Sequence, residues 1–128
     1  MAKFTTSRVC DATVNGYCIR DLGEPTPENT CDGTNPYDKN LTSSVRYADC
    51  SKNYWAGAKK ACEAAKMKLP DKDVLSSLSR KTGAPTSDNY WSSTEDSAST
   101  AKHVDIRNGD VNANVKDDGD DKVLCVGE

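Results

Sequence analysis

Six cysteines are the most reactive side chains in this 128-residue sequence. Their thiolates offer two chemistries, disulfide formation and soft-metal ligation. A zinc site needs close pairs such as C-x-x-C or mixed Cys/His clusters, whereas the spacings here run Cys10-x7-Cys18, Cys31-x18-Cys50 and Cys62-x62-Cys125, and the single histidine, His103, stands apart. The expectation is three disulfides, no metal and no cofactor, in an oxidising compartment outside the cytosol. Spacing alone does not choose among the possible pairings. Neighbours paired in order would make two small staples and one long bridge, and closing a loop of about sixty residues stabilises by about 4 kcal/mol.

Three other groups invite a chemical reading. An unperturbed histidine side chain changes charge near neutrality, but alternation places His103 on the outer side of a strand, where a surface histidine is expected. Asp117-Asp118-Gly119-Asp120-Asp121 gathers four carboxylates of the kind calcium prefers, without the spaced ligands of an EF-hand loop, so a solvated turn is expected. Tyr90-Trp91 could stack on a ligand. Aromatics are only 6% of the chain, so Trp91 is expected in the core.

The elements that must position these groups follow from periodicity. Trp55, Ala58, Cys62, Ala65 and Leu69 fall at helical spacing, predicting an amphipathic helix of about 15 residues that Pro70 stops. Asp71 caps a second helix with Val74, Leu75 and Leu78 inward and an end near Thr82-Gly83. Early strands are expected at Thr13–Ile19 and Ser44–Ala48. His103–Arg107 and Asp110–Val115 flank Asn108-Gly109, a type I′ hairpin signal. That pattern sets Val104, Ile106, Val111, Ala113 and Val115 on an inner face, and His103, Asp105, Arg107, Asp110, Asn112 and Asn114 on the outer one. A turn at Asp117–Asp121 leads to a last strand, Lys122–Val126. Residues 1–53 read as an irregular, disulfide-stapled extension packed on a core domain of residues 54–128. Turn chemistry marks that extension at Gly23–Pro27 and Asp32–Pro36.

Composition limits the partners. The net charge is −3 and the pI near 5.2, so the basic footprint of a nucleic-acid binder is absent. Lys59, Lys60, Lys66, Lys68, Lys72, Arg80 and Lys81 make the middle of the chain basic, as a solvated helical face would. No stretch approaches the roughly 18 apolar residues of a membrane span, so membrane insertion is not expected. Nor is a large hydrophobic pocket. Met1-Ala2-Lys3-Phe4 runs directly into polar residues with no apolar leader, so a natural leader or anchoring N-terminal helix is expected to have been replaced by a start Met.

The ordered motifs Tyr54-Trp55-Ala56-Gly57-Ala58-Lys59-Lys60-Ala61-Cys62, Leu69-Pro70, Asn89-Tyr90-Trp91-Ser92-Ser93-Thr94-Glu95 and Val123-Leu124-Cys125-Val126 resemble an exported bacterial group of C-type-lectin-like domains over residues 54–126. Asp71 stands where that group often has Thr, and Leu124 where Arg is usual. The resemblance implies an α+β, C-type-lectin-like fold, with two helices flanking small, mostly antiparallel sheets, and a Cys62–Cys125 bridge. The calcium-dependent sugar-binding motif is missing, since Glu24-Pro25-Thr26 lies upstream of the domain. No catalytic cysteine pair carries over from the related oxidases. The chain also resembles the variable proteins of diversity-generating retroelements, which display a diversified patch on this scaffold.

The functional expectation is an extracellular or cell-surface binding module, not an enzyme, that meets a protein or glycan through His103, Asp105, Arg107, Asp110, Asn112 and Asn114. The alternative is the head domain of a pilin or surface-fibre subunit assembled through a missing N-terminal helix.

Overall fold

The computed structural model describes residues 9–31 and 49–127. Its elements are β1 (Ala12–Val14), β2 (Tyr17–Gly23), α1 (Tyr54–Ala64), α2 (Lys72–Leu78), β3 (Asn89–Glu95), β4 (Thr100–Asp105), β5 (Asp110–Val115) and β6 (Val123–Gly127). Among the described residues the fold is α+β, with two helices and two three-stranded antiparallel sheets, ordered β1-β2-β6 and β3-β4-β5. Lys122 joins the sheets: its carbonyl accepts from Trp91 N–H at 3.0 Å and its N–H donates to Asn89 O at 2.9 Å. The Tyr90 hydroxyl adds a second link, donating to Asp21 Oδ2 at 2.6 Å. Burial, and then the Asp21 carboxylate, push the phenol's pKa up and keep it a donor.

Each helix covers one face of this joined layer. Trp55, Ala58 and Cys62 of α1 pack with Trp91, Ala101, Val123 and Cys125. Leu75 and Leu78 of α2 pack with Ile19, Tyr90, Val104 and Leu124. Strand neighbours point to opposite faces, so Tyr90 and Trp91, or Leu124 and Cys125, serve different cores. A chain poor in apolar residues thus concentrates them on strands buried from both sides.

The helices form where expected but are shorter. The Asn53 side chain caps α1 by accepting from Ala56 N–H at 2.9 Å, and the helix ends at Ala64, well before Pro70. Lys66 turns left-handed (φ 61°) and Met67 N–H returns to Cys62 O at 2.9 Å, so the chain closes its own C-cap. Met67 and Leu69 still reach the α1-side core, from the linker. Asp71 caps α2 as expected, accepting from Val74 N–H at 2.8 Å. That helix stops at Leu78, ahead of Thr82-Gly83.

Two turns correct the strand expectations. Thr13–Ile19 is a hairpin and not one strand: Asn15 (φ 53°) and Gly16 (φ 84°) make the turn between β1 and β2. Asn-Gly carries the same hairpin signal there as later in the chain. At Asn108-Gly109 the hairpin exists, but β4 and β5 are joined by the four residues between Asp105 and Asp110, and only Gly109 has positive φ. Ile106 leaves the strand to enter the α2-side core, its N–H donating to Asp88 O at 3.1 Å. Burial of one isoleucine outweighs the two-residue turn. The Ser44–Ala48 strand and the Asp32–Pro36 turn lie outside the described residues.

Three disulfides join Cys10 to Cys18, Cys31 to Cys50 and Cys62 to Cys125. Such a framework belongs to an oxidising, extracellular type of environment. Among the described residues no helix is long and apolar enough to cross a membrane.

Candidate functional site

Register builds the candidate face. His103 pairs with Asn112, Asp105 with Asp110, and Ala101 with Asn114, so these side chains share one side of the β4–β5 ribbon. Arg107 lies in the loop beyond β4 and reaches back to the face through Asp105. On the inner side His103 faces Trp91 of β3, with ring centroids 6.4 Å apart. The expected face is therefore assembled, but it grades from buried at Trp91 and Ala101 to exposed at Asp110 and Asn112.

His103 corrects the expectation of a surface histidine. Its side chain is 15% exposed, and Nδ1 lies 2.8 Å from Oδ2 of Asp121, itself 4% exposed. A carboxylate only accepts, so Nδ1 carries the proton and donates. Asn114 Nδ2 donates to the same Asp121 oxygen at 3.0 Å and to Asp118 Oδ2 at 3.0 Å. The turn after β5 folds back and closes this end of the face. A carboxylate-oriented imidazole is half of a nucleophilic hydrolase arrangement. Among the described residues no hydroxyl is hydrogen-bonded to Nε2.

The acidic turn is used internally. Besides the roles of Asp118 and Asp121, Asp117 Oδ2 accepts from Asp49 N–H at 3.0 Å and Asp118 Oδ1 accepts from Asp120 N–H at 2.8 Å. Among the described residues no cluster of three or more His, Cys, Asp or Glu side chains could hold a metal ion. The expected solvated turn is met only in part: Asp120 is exposed and Asp117, Asp118 and Gly119 are half-buried, but Asp121 is buried beneath the His103 and Asn114 side chains that donate to it.

The inner strand face expected from alternation is also corrected. Val104 and Ile106 are fully buried, but Val111 is 37% exposed and Ala113 is exposed. β5 is an edge strand, and the α2-side core ends one strand earlier.

At the outer end, Arg107 forks onto Asp105, with Nε to Oδ1 at 2.9 Å and an Nη to Oδ2 at 2.7 Å. These guanidinium hydrogen bonds hold the Asp105 carboxyl down at about 2. Its pKa is lower folded than unfolded, so its contribution to stability is present above pH about 4 and is lost as pH falls towards 2. In Arg107→Ala the Asp105 titration followed by NMR is expected to rise into the ordinary carboxylate range. A midpoint unchanged in the variant would refute the fork as its cause.

Other features were not legible from the sequence. Lys116 is buried, its Nζ 4.4 Å from the Trp55 ring centroid and 2.6 Å from Glu95 Oε2, while Lys59 approaches the same ring at 3.6 Å. An open groove of about 560 Å³ runs along the 66–71 linker beside Tyr17, Val74 and Val126. A smaller cleft of about 300 Å³ lies between Arg80, Lys81, Thr86 and Arg107, so Arg107 borders both it and the candidate face.

A family model described as a domain of unknown function (DUF8780) matches residues 46–127. The chain belongs to this family. The DUF8780 match takes in both helices, β3 to β6 and the whole candidate face, while β1 and β2 lie before it. No curated protein and no solved structure matches the chain.

Proposed function

We propose that this DUF8780 protein is an exported, non-catalytic binding module with a C-type-lectin-like fold, which meets a protein or glycan through the outer end of the β4–β5 face. The observation that carries this reading is the contrast across one surface. His103 and Asn114 are locked by Asp121, and the buried Trp91 stands beside His103, while Arg107, Asp110 and Asn112 project from the same ribbon into solvent. A pre-ordered platform carrying adaptable hydrogen-bonding side chains loses little entropy when it binds. The C-type-lectin-like assignment draws support from the bridge between α1 and β6, the buried Trp91 and the pairing of β2 with the last strand.

The test is the triple substitution of Arg107, Asp110 and Asn112 by alanine, which spares the buried network. Screened with the full chain against a glycan array and an immobilised library of secreted proteins, the parent is expected to yield a ligand that the variant binds about tenfold or more weakly, a loss of about 1.4 kcal/mol. Circular dichroism should show the same fold in both. A ligand bound equally by parent and variant would overturn the site.

A further inference from the structure

A solvated helical face does not account for Arg80 and Lys81: α2 ends at Leu78, and both stand in the loop beyond it. There they border the cleft of about 300 Å³ together with Arg107, which comes from the loop after β4. Thr82 and Thr86 add two hydroxyls to the lining, and Pro85 and Ile106 supply its apolar part. Among the described residues no carboxylate lines the cleft, although the chain as a whole is acidic.

The three cations keep unspent donors. Arg80 has no hydrogen bond or ion pair among the described residues. Lys81 Nζ gives one proton to Ser77 O at 2.8 Å and keeps two. Arg107 turns Nε and one Nη to Asp105, so its other Nη is left over. Asp105 and, more weakly, Asp88 are the carboxylates that act on this guanidinium. Three cations against those two leave a surplus of one positive charge, which suits a monoanion.

The loop that carries Arg80 and Lys81 is held in place. Lys81 N–H donates to Leu78 O at 3.2 Å and Ala84 N–H to Lys81 O at 3.0 Å. Gly83, at φ 94°, lies so near β1 that a Cβ there would stand 3.0 Å from Ala12 Cβ. On the other side the Asp105 fork fixes Arg107. Donors ordered before a ligand arrives lose less entropy when it binds.

We propose that this cleft binds an acidic sugar, a uronic or sulfated monosaccharide unit, whose oxyanion sits between Arg80, Lys81 and Arg107. A carboxylate or sulfate accepts from several N–H donors at once, and guanidinium groups match its oxygens in pairs. The sugar hydroxyls meet Thr82 and Thr86, and its C–H surface meets Pro85 and Ile106. The cleft lies at the small end of ligand sites and has room for one such unit. The proposal goes beyond the ligand reading above: it shares only Arg107 with the polar face and stands or falls on other residues. A single unit in an open cleft binds weakly, so a dissociation constant of about 5 mM is expected.

The test is an NMR titration of the isotope-labelled full chain with glucuronate, a sulfated glucose, glucose and inorganic sulfate in turn. Both acidic sugars should shift the amides of Thr82, Thr86 and Arg107, with glucose about tenfold or more weaker. Raising the salt from about 20 mM to about 300 mM should weaken them. Arg80 has φ 62°, so Arg80→Asn removes the cation and keeps a residue that tolerates this backbone; it should weaken both acidic sugars about tenfold. Lys81→Gln should weaken them about threefold and serves if the asparagine variant does not fold. Asp110→Ala combined with Asn112→Ala should bind them like the parent. Glucose bound as tightly as glucuronate would overturn the proposal, as would Arg80→Asn and Lys81→Gln variants that both bind like the parent. Inorganic sulfate bound as tightly as the sulfated sugar would reduce the cleft to a site for an adventitious ion only. Loss of binding in the Asp110 and Asn112 double variant would place the sugar on the polar face instead.

Discussion

Gly57→Ala is expected to destabilise the fold by about 3 kcal/mol or more, although alanine in an ordinary helix interior would stabilise it by about 1. The sign is set by one close approach. A Cβ built at Gly57 would lie 1.8 Å from the Thr26 carbonyl oxygen, 2.9 Å from its carbon and 3.4 Å from Pro27 Cα. These are backbone atoms, so no rotamer change relieves the overlap.

Nor can the segment move away cheaply. Glu28 and Asn53 exchange backbone hydrogen bonds at 3.0 and 2.9 Å, Thr30 N–H donates to Cys50 O at 2.8 Å, and the Cys31–Cys50 bridge lies just beyond. The start of α1 and residues 26–31 are thus pinned together at several points. Urea unfolding of the substituted protein is expected to show a much lower midpoint. A raised midpoint would mean that Thr26 does not lie against the helix.

The second large effect concerns the α1–β6 bridge. Replacing Cys62 and Cys125 together by alanine, with the other disulfides intact, should cost about 4 kcal/mol through the unfolded chain alone, because the bridge spans 63 positions. Both cysteines are fully buried beside Trp55, Ala58 and Trp91, so lost packing adds to that figure. A domain of this size has on the order of 5–15 kcal/mol in total. The Cys10–Cys18 bridge spans 8 positions and should cost about 2.5 kcal/mol when removed in the same way. Equal losses in the two double variants, measured by urea unfolding, would sink the loop-length explanation.

Local patterns carried much of this fold. The Trp55, Ala58, Cys62 stripe marked α1, the Asp71 side chain marked the start of α2, and the scarcity of aromatics was reason enough to bury Trp91. Strand alternation by itself also put His103, Asp105, Asp110, Asn112 and Asn114 on one face. In each case the information is short-range: a period, a cap, or a side chain too apolar to leave in water.

What those patterns missed depends on residues far apart in the chain. Asn15-Gly16 is the exception, a local turn signal between β1 and β2 that the β-branched and aromatic residues around it masked. Ile106 lengthened the turn of the expected hairpin because it enters a core assembled with α2, β2 and β6. His103 was read as a surface residue, since nothing local says that Asp121 returns 18 positions later to accept its proton.

The sequence by itself determined the secondary-structure types, the oxidising compartment implied by six cysteines and the membership of the polar face. Only the tertiary structure decided which part of that face meets water and which glycine has no room for a methyl group. Those depend on through-space contacts between segments tens of residues apart, and periodicity reports only on a residue's immediate neighbours.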